Sequence, residues 1–411
     1  MALATAGAVC IFGAWSFSNW GMANSASIRT GDTDVALFLT ELAPDDPQTH
    51  YTAGVLLIKS FDPGNMQRGL DELETAARLA PENYMFWLEL GQARERGGDP
   101  EGAERALRRA LDLAPNYSRV RWALGNMLLR AGHTEEAFAE IKTAVAGDPN
   151  SFADQAASSA WHFLEGDINI VRQLAAGSPE FEASVVTLLV REKRFDEAMQ
   201  MWNRLPPEKK RGQLRERGTA ISAKMLGEKK IRYGLSVLRD ISAQGTDADV
   251  GRISNGGFES AVKPSGAGPF EWEIAAGLQP QIVLSSGQKH SGSNSLLIFF
   301  NSTDGKDFRS VSQLVPVEPD TLYELEIFYR AELKLPTTLR WQIVDADGKQ
   351  LAVSESILNR VEWAPLSVGF RSSATSDGII VRLIRDTCGQ VCPASGSVWF
   401  DDVSLRNSGG R

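Results

Sequence analysis

Pro81, Pro115 and Pro149 stand 34 residues apart, and the chain between them repeats. Behind Pro115 lie Ala110, Leu107, Ala103, Gly91, Leu90 and Trp87. Behind Pro149, at the same distances, lie Ala144, Ile141, Ala137, Gly125, Leu124 and Arg121, with Trp122 one step along. The small residues let two antiparallel helices approach closely, and the large ones fill the seam to the next pair. Each proline ends a second helix, because it lacks an N–H and clashes with the preceding turn. A period of this length marks one helix–turn–helix unit, which buries its apolar face only by stacking on its neighbours.

This pattern resembles the tetratricopeptide repeat, which implies an α-solenoid whose first helices line a concave, protein-binding side. Upstream, a less regular unit ends at Pro81, with Leu73 and Ala76 in register and Gly54 three residues out of step. Phe61-Asp62-Pro63-Gly64 therefore reads as a lengthened turn after a helix over 49–59. Val35 to Leu42, closing on Pro44, reads as the second helix of a half repeat. Beyond Pro149 the pattern decays, but helix pairs are still readable at 156–164 with 168–176, 183–191 with 195–205, and 212–226 with 229–243. On the concave face Arg119, Trp122, Asn126 and Arg130 fall three and four residues apart. Such a set suits a protein or peptide partner: arginines and an amide for backbone or carboxylate, and an indole as apolar anchor. The competing expectation is that Trp122 packs on its neighbouring repeat while the arginines pair with Glu89 and Glu95.

The formal net charge is −9, and no clustered basic run is present, which disfavours a nucleic-acid partner. Residues 1–28 carry no charge, and Leu3 to Trp20 is rich in apolar residues. This segment suits a signal-anchor or signal peptide, cleavable near Ala23-Asn24-Ser25-Ala26. It predicts an exported protein on the periplasmic side of the inner membrane, anchored or released. Of the three cysteines, Cys10 lies in the apolar segment, and Cys388 and Cys392 stand together without further metal ligands nearby. A short-loop disulfide in an oxidising compartment is expected of that pair, with two reduced thiols as the alternative.

The solenoid is expected over 29–245, followed by a linker at 246–252 and a second domain over 253–408. Here helical spacing gives way to short alternating runs. Strands are readable at 321–330, 338–344, 364–370, 379–384 and 397–405, with turns such as Asp347-Gly348 and Ser376-Asp377-Gly378. An antiparallel β-sandwich follows. The region opens on Asn255-Gly256-Gly257-Phe258-Glu259, has Trp272 soon after, and contains His290-Ser291-Gly292-Ser293-Asn294-Ser295-Leu296. It closes on Trp399-Phe400-Asp401-Asp402-Val403-Ser404-Leu405. That order resembles the jelly-roll carbohydrate-binding modules of families 4, 9 and 22, which are galactose-binding-like sandwiches. The resemblance implies glycan binding and a structural calcium held by Glu259 and Asp401, with Asp402 as second choice. The alternative is that both carboxylates accept backbone N–H bonds without metal. For the sugar, strand alternation offers a mixed face of Glu326, Phe328, Arg340, Gln342 and Arg382, with Trp272 as a stacking ring at its rim. The competing expectation is a solvated face with cross-strand ion pairs, such as Glu326 with Arg340.

The four histidines, His50, His133, His162 and His290, are scattered, and no nucleophile elbow, phosphate loop or paired metal-ligand motif is present. No enzymatic activity is expected. The chain reads as a multidomain α plus β protein, a scaffold whose solenoid binds protein and whose sandwich binds polysaccharide, in envelope or exopolysaccharide assembly. The alternative is an interaction adaptor with a purely structural sandwich.

Overall fold

The computed structural model describes Trp15 and residues 18–60, 62–243, 245–302, 308–335, 338–386 and 393–409. Cys388 and Cys392, and most of the apolar N-terminal segment, lie outside these. The chain divides into two compact units, Met1–Leu188 and Leu189–Arg411. Among the described residues, no helix is long and apolar enough to cross a membrane.

After a helix over 18–27, the first unit runs through α1 (Thr33–Leu42), α2 (Pro47–Lys59), α3 (Pro63–Leu79), α4 (Tyr84–Arg96) and α5 (Pro100–Leu113). Then come α6 (Ser118–Arg130), α7 (Thr134–Gly147), α8 (Pro149–Phe163) and α9 (Ile168–Ala175), and the boundary between the units falls within α10 (Pro179–Arg191). Starts are written in the sequence. Asp46, Asp99 and Asp148 each accept a backbone N–H at a helix N-terminus, and each is followed by proline at the first helical position. The hairpins α2–α3, α4–α5 and α6–α7 close on glycine. A Cβ on Gly91 would lie 2.6 Å from Leu107 Cγ, and one on Gly125 would lie 2.7 Å from Ile141 Cγ1.

The expected long turn at Phe61–Gly64 is corrected. Asp62 caps α3 and Pro63 is its first residue, so Pro63-Gly64 begins a helix. The helix has 17 residues against 14 in α5 and in α7, so the three extra residues lengthen the helix. That accounts for the out-of-step Gly54.

The second unit opens with α11 (Phe195–Arg204), α12 (Pro207–Arg211), α13 (Arg215–Gly227) and α14 (Ile231–Ile241). Short α12, with Pro207 at its start, was not read from the sequence. Two five-stranded antiparallel sheets follow. One has the order β1 (Glu273–Ile274), β4 (Val311–Pro316), β9 (Gly378–Arg385), β6 (Leu339–Asp345), β7 (Gln350–Val353). The other has β2 (Gln281–Ser285), β3 (Ser295–Ser302), β10 (Ala394–Asn407), β5 (Leu322–Leu333), β8 (Arg360–Arg371). Alternate residues such as Leu325, Ile327, Trp341, Ile343 and Phe400 fill the space between the sheets.

Within this unit the helices are joined to the sandwich. α14 begins after Lys230, which makes no side-chain cap. Asp377, in the turn before β9, accepts the Ile231 and Arg232 N–H groups instead, at 3.0 Å each. Arg232 also pairs with Glu318 at 2.7 Å, and Ile231 and Leu235 share an apolar cluster with Ala248 and Phe270.

Candidate functional site

Two surfaces present side chains that can recognise a ligand. The first is a groove of about 650 Å³ in the first unit, lined by α2, α4 and α6, the first helices of three successive pairs. All four residues expected to bind protein, Arg119, Trp122, Asn126 and Arg130, line it, facing Tyr51 and Val55 of α2. The arginines are also paired, as the competing expectation held: Arg119 with Glu89 at 3.3 Å and Arg130 with Glu95 at 2.6 Å. Both pairs cross from one repeat to the next. Their carboxylates are the buried partners, 17% and 21% exposed, while the guanidiniums are 55% and 53% exposed. What the groove shows to solvent is therefore cationic. Trp122 is half-buried, stacked on Phe152 with ring centroids 5.1 Å apart, which fixes the indole as part of the groove wall. Asn126 donates its amide N–H to the Trp122 carbonyl at 2.8 Å. Burial and the nearby Glu89 carboxylate hold the Tyr51 phenol above its usual range, against the pull of Arg119.

The sandwich separates the residues expected to share a sugar face. Glu326 and Phe328 lie on β5, whereas Arg340 and Gln342 on β6 and Arg382 on β9 belong to the opposite sheet. The outer faces of two packed sheets point away from each other, so these five residues cannot meet one ligand. Neither does Glu326 pair with Arg340. Glu326 binds Arg406 at 3.3 Å, and Arg340 binds Asp386 at 3.1 Å. Arg382 donates to Gln342 at 2.7 Å, so the mixed face of that sheet is tied up within itself. Phe328 is covered by the His290 ring, stacked at 3.9 Å and 12°. Trp272 is no rim residue: it is 2% exposed, between Phe258 and Trp341 in the core, with its indole N–H on the Asn255 carbonyl at 3.2 Å.

A different set lies on the outer face of the β2–β3–β10–β5–β8 sheet, with Phe299 exposed and Trp399 only 8% exposed. In register across its outer face, Leu297, Trp399 and Arg330 form one row, and Phe299, Ser397 and Glu332 the next. Phe299, Asn301, Glu332, Asn359 and Ser397 line a depression of about 630 Å³. Arg330 lies over the Trp399 ring at 5.9 Å. The Trp399 indole N–H is buried without a hydrogen-bond partner, and so is the Arg330 Nε–H. Sequence reading missed this face, although the tandem aromatics Phe299-Phe300 and Trp399-Phe400 signal it. In a strand, one of two adjacent rings must point outward.

Glu259, Asp401 and Asp402 gather at the 288–294 loop. Buried Asp401 accepts the N–H groups of His290 at 2.8 Å, Ser291 at 3.1 Å and Asp402 at 2.8 Å. Glu259 accepts those of Ser293 at 2.7 Å and Asn294 at 3.2 Å. Asp402 binds His290 Nδ1 at 2.7 Å and the Ser291 hydroxyl at 2.8 Å. Burial raises Asp401 above the usual carboxylate range despite the three N–H bonds. Calcium needs about six to eight oxygen ligands, and the carboxylate oxygens here other than Glu259 Oε2 accept N–H or O–H bonds. Among the described residues, no group of three or more His, Cys, Asp or Glu is placed to hold a metal. In this arrangement these carboxylates clamp the 288–294 loop onto the middle of β10.

The second unit also contains a depression of about 810 Å³ bordered by Lys193, Lys229, Arg232 and Arg239. These four cations bind Glu228, Asp347, Glu318 and Asp249 respectively, while Lys230, which also lines it, lies over the Phe195 ring at 5.6 Å.

Residues 61–118 and 88–152 match the family model of the tetratricopeptide repeat. No curated protein sequence matches the chain. Among solved structures, the chain is similar to a CBM4 structure at 13% identity, covering 38% of this chain and 99% of that one, with a TM-score of 0.30. It is similar to the CBM22-1 xylan-binding domain of Paenibacillus barcinonensis Xyn10C at 14% identity, covering 33% and 85%, with a TM-score of 0.25. It is also similar to YrrB, a TPR protein with an unusual peptide-binding site, at 20% identity, covering 37% and 79%, with a TM-score of 0.30. The matched stretch thus carries tetratricopeptide repeats, and an α-solenoid followed by an antiparallel β-sandwich is the fold.

Proposed function

We propose that this protein is a non-catalytic, exported scaffold that holds a protein partner in its solenoid groove and a glycan on its sandwich, at the periplasmic side of the inner membrane. The observation that carries the reading is the groove itself: three successive first helices place Tyr51, Trp122, Asn126, Arg119 and Arg130 around one cleft. An aromatic wall, an amide and half-exposed guanidiniums suit an extended polypeptide. The glycan reading rests on the depression where exposed Phe299 lies beside Asn301, Glu332, Asn359 and Ser397. Sugar hydroxyls would pair with those amide, hydroxyl and carboxylate groups, and a pyranose C–H face would cover the Phe299 ring. A scaffold that joins polymer to protein in this way belongs in envelope or exopolysaccharide assembly.

The test has two arms, both on the full chain. Random peptides displayed on phage should enrich on the protein, and the enrichment should vanish on the Arg119→Ala/Trp122→Ala variant; sequences that enrich equally on both would remove the groove reading. Calorimetry against neutral and uronate-containing polysaccharides should give saturable heat, weakened about tenfold or more in Phe299→Ala. Heat unchanged by that substitution would place the sugar elsewhere. Silence with every polysaccharide would leave an adaptor whose sandwich is structural, a reading supported by the self-engaged face of Arg340, Gln342 and Arg382.

A further inference from the structure

The groove carries a periodic charge that its aromatic wall does not explain. Lys59, Arg96 and Arg130 are the last residues of α2, α4 and α6, and all three line the groove. They occupy one repeat position, since the longer α3 separates the first two by the three residues it adds. One step back along each helix the same register holds Val55, Gln92 and Asn126, and the next holds Tyr51, Leu88 and Trp122. The groove thus runs from an end holding Tyr51, Trp122 and the Arg119–Glu89 pair, past Val55, Gln92 and Asn126, to the row of Lys59, Arg96 and Arg130. Four cations line it, Lys59, Arg96, Arg119 and Arg130, against two carboxylates, Glu89 and Glu95. Both carboxylates are held by Arg119 and Arg130. Lys59 and Arg96 have no carboxylate partner among the described residues, and Arg96 Nε donates only to the Gln92 carbonyl at 3.2 Å. Their charge is available to a ligand.

Resting on the protein-binding reading of this groove, we propose that its partner is an extended acidic segment with a carboxylate at every third residue. Successive first helices run parallel, and packed helices lie roughly 10 Å apart. A segment crossing them in the polyproline II form advances about 3.1 Å per residue with about three residues per turn, so every third side chain faces the cation row at about the helix spacing. Side chains of the segment that point to the other end meet Tyr51 and Trp122, and Gln92 and Asn126 lie beside its backbone. A cation in the last turn also favours a helix C-terminus through the backbone dipole, so the test must read more than stability.

Fluorescein-labelled nonapeptides of one composition, with aspartates at every third position or clustered together, and a lysine counterpart of the first, are titrated against the full chain by anisotropy. The spaced peptide should bind about tenfold or more tighter than the clustered one, weakening with salt, and the lysine peptide should not bind. Lys59→Ala/Arg96→Ala should cost the spaced peptide about tenfold or more while the protein stays folded by circular dichroism, whatever the small change in its melting temperature. Lys59→Glu/Arg96→Glu should reverse the preference toward lysine. Equal affinity for spaced and clustered peptides, no binding by either, or binding indifferent to both variants would overturn the proposal. The protein-binding reading falls only if displayed peptides also ignore Trp122 and Arg119.

Discussion

Trp272→Ala should destabilise the second unit by about 3–5 kcal/mol, as removal of a buried indole from a packed core does. The ring lies between Phe258 at 5.5 Å and Trp341 at 5.9 Å, and Trp341 in turn meets Phe400 edge-on at 5.2 Å. These rings tie the segment before β1 to the inner faces of β6 and β10, so a cavity at Trp272 opens under both sheets. The substitution also strands the Asn255 carbonyl that accepts the indole N–H. Denaturant unfolding of the full chain, read by near-ultraviolet circular dichroism, measures the effect. A rim residue would change stability by less than about 0.5 kcal/mol, and that result would return Trp272 to the surface. Any loss of sugar binding in this variant therefore reports unfolding.

The second large effect is expected at Asp240. One of its carboxylate oxygens accepts both the Trp202 indole N–H at 2.9 Å and the Lys210 ammonium at 2.7 Å. The Lys210 side chain is only 7% exposed and also lies 5.3 Å from the centre of the Trp202 ring. Asp240→Ala leaves a buried ammonium without its counter-charge and an indole N–H without its acceptor, for a loss of about 3 kcal/mol. Replacing Lys210 as well, in Asp240→Ala/Lys210→Met, should recover most of it, because an apolar side chain of similar length has no charge to desolvate. A double variant as unstable as the single one would show that the pair is not what holds α12 and α14 together.

The solenoid was readable because each repeat makes the same contact with the next. Gly91 and Gly125 are small for one reason, and periodicity exposes it. For the same reason Arg119, Trp122, Asn126 and Arg130 could be placed on one face from spacing alone. Pro63-Gly64 misled because the same dipeptide serves a turn or, after a capping aspartate, a helix start. In the sandwich β5, β6, β8, β9 and β10 announced themselves by alternation, whereas β2, β3 and β4 were not read as such, and two-residue β1 and four-residue β7 are too short to show any. The sugar face failed for a non-local cause. β5 and β6 are neighbours in sequence but lie in opposite sheets, since β5 pairs with β8 and β10, and β6 with β7 and β9. Alternation tells which residues of a strand share a side, and only strand order tells which sides face the same way. The burial of Trp272 and the covering of Phe328 by His290 are likewise decided by residues distant in sequence.

Amide hydrogen exchange of the full chain, with and without a display-selected peptide at saturation, tests the central claim most directly. Binding in the groove predicts slowed exchange in Pro47–Lys59, Tyr84–Arg96 and Ser118–Arg130, with little change in their partner helices or in the sandwich. Protection confined to residues 189–411, or none in those three helices, would contradict it.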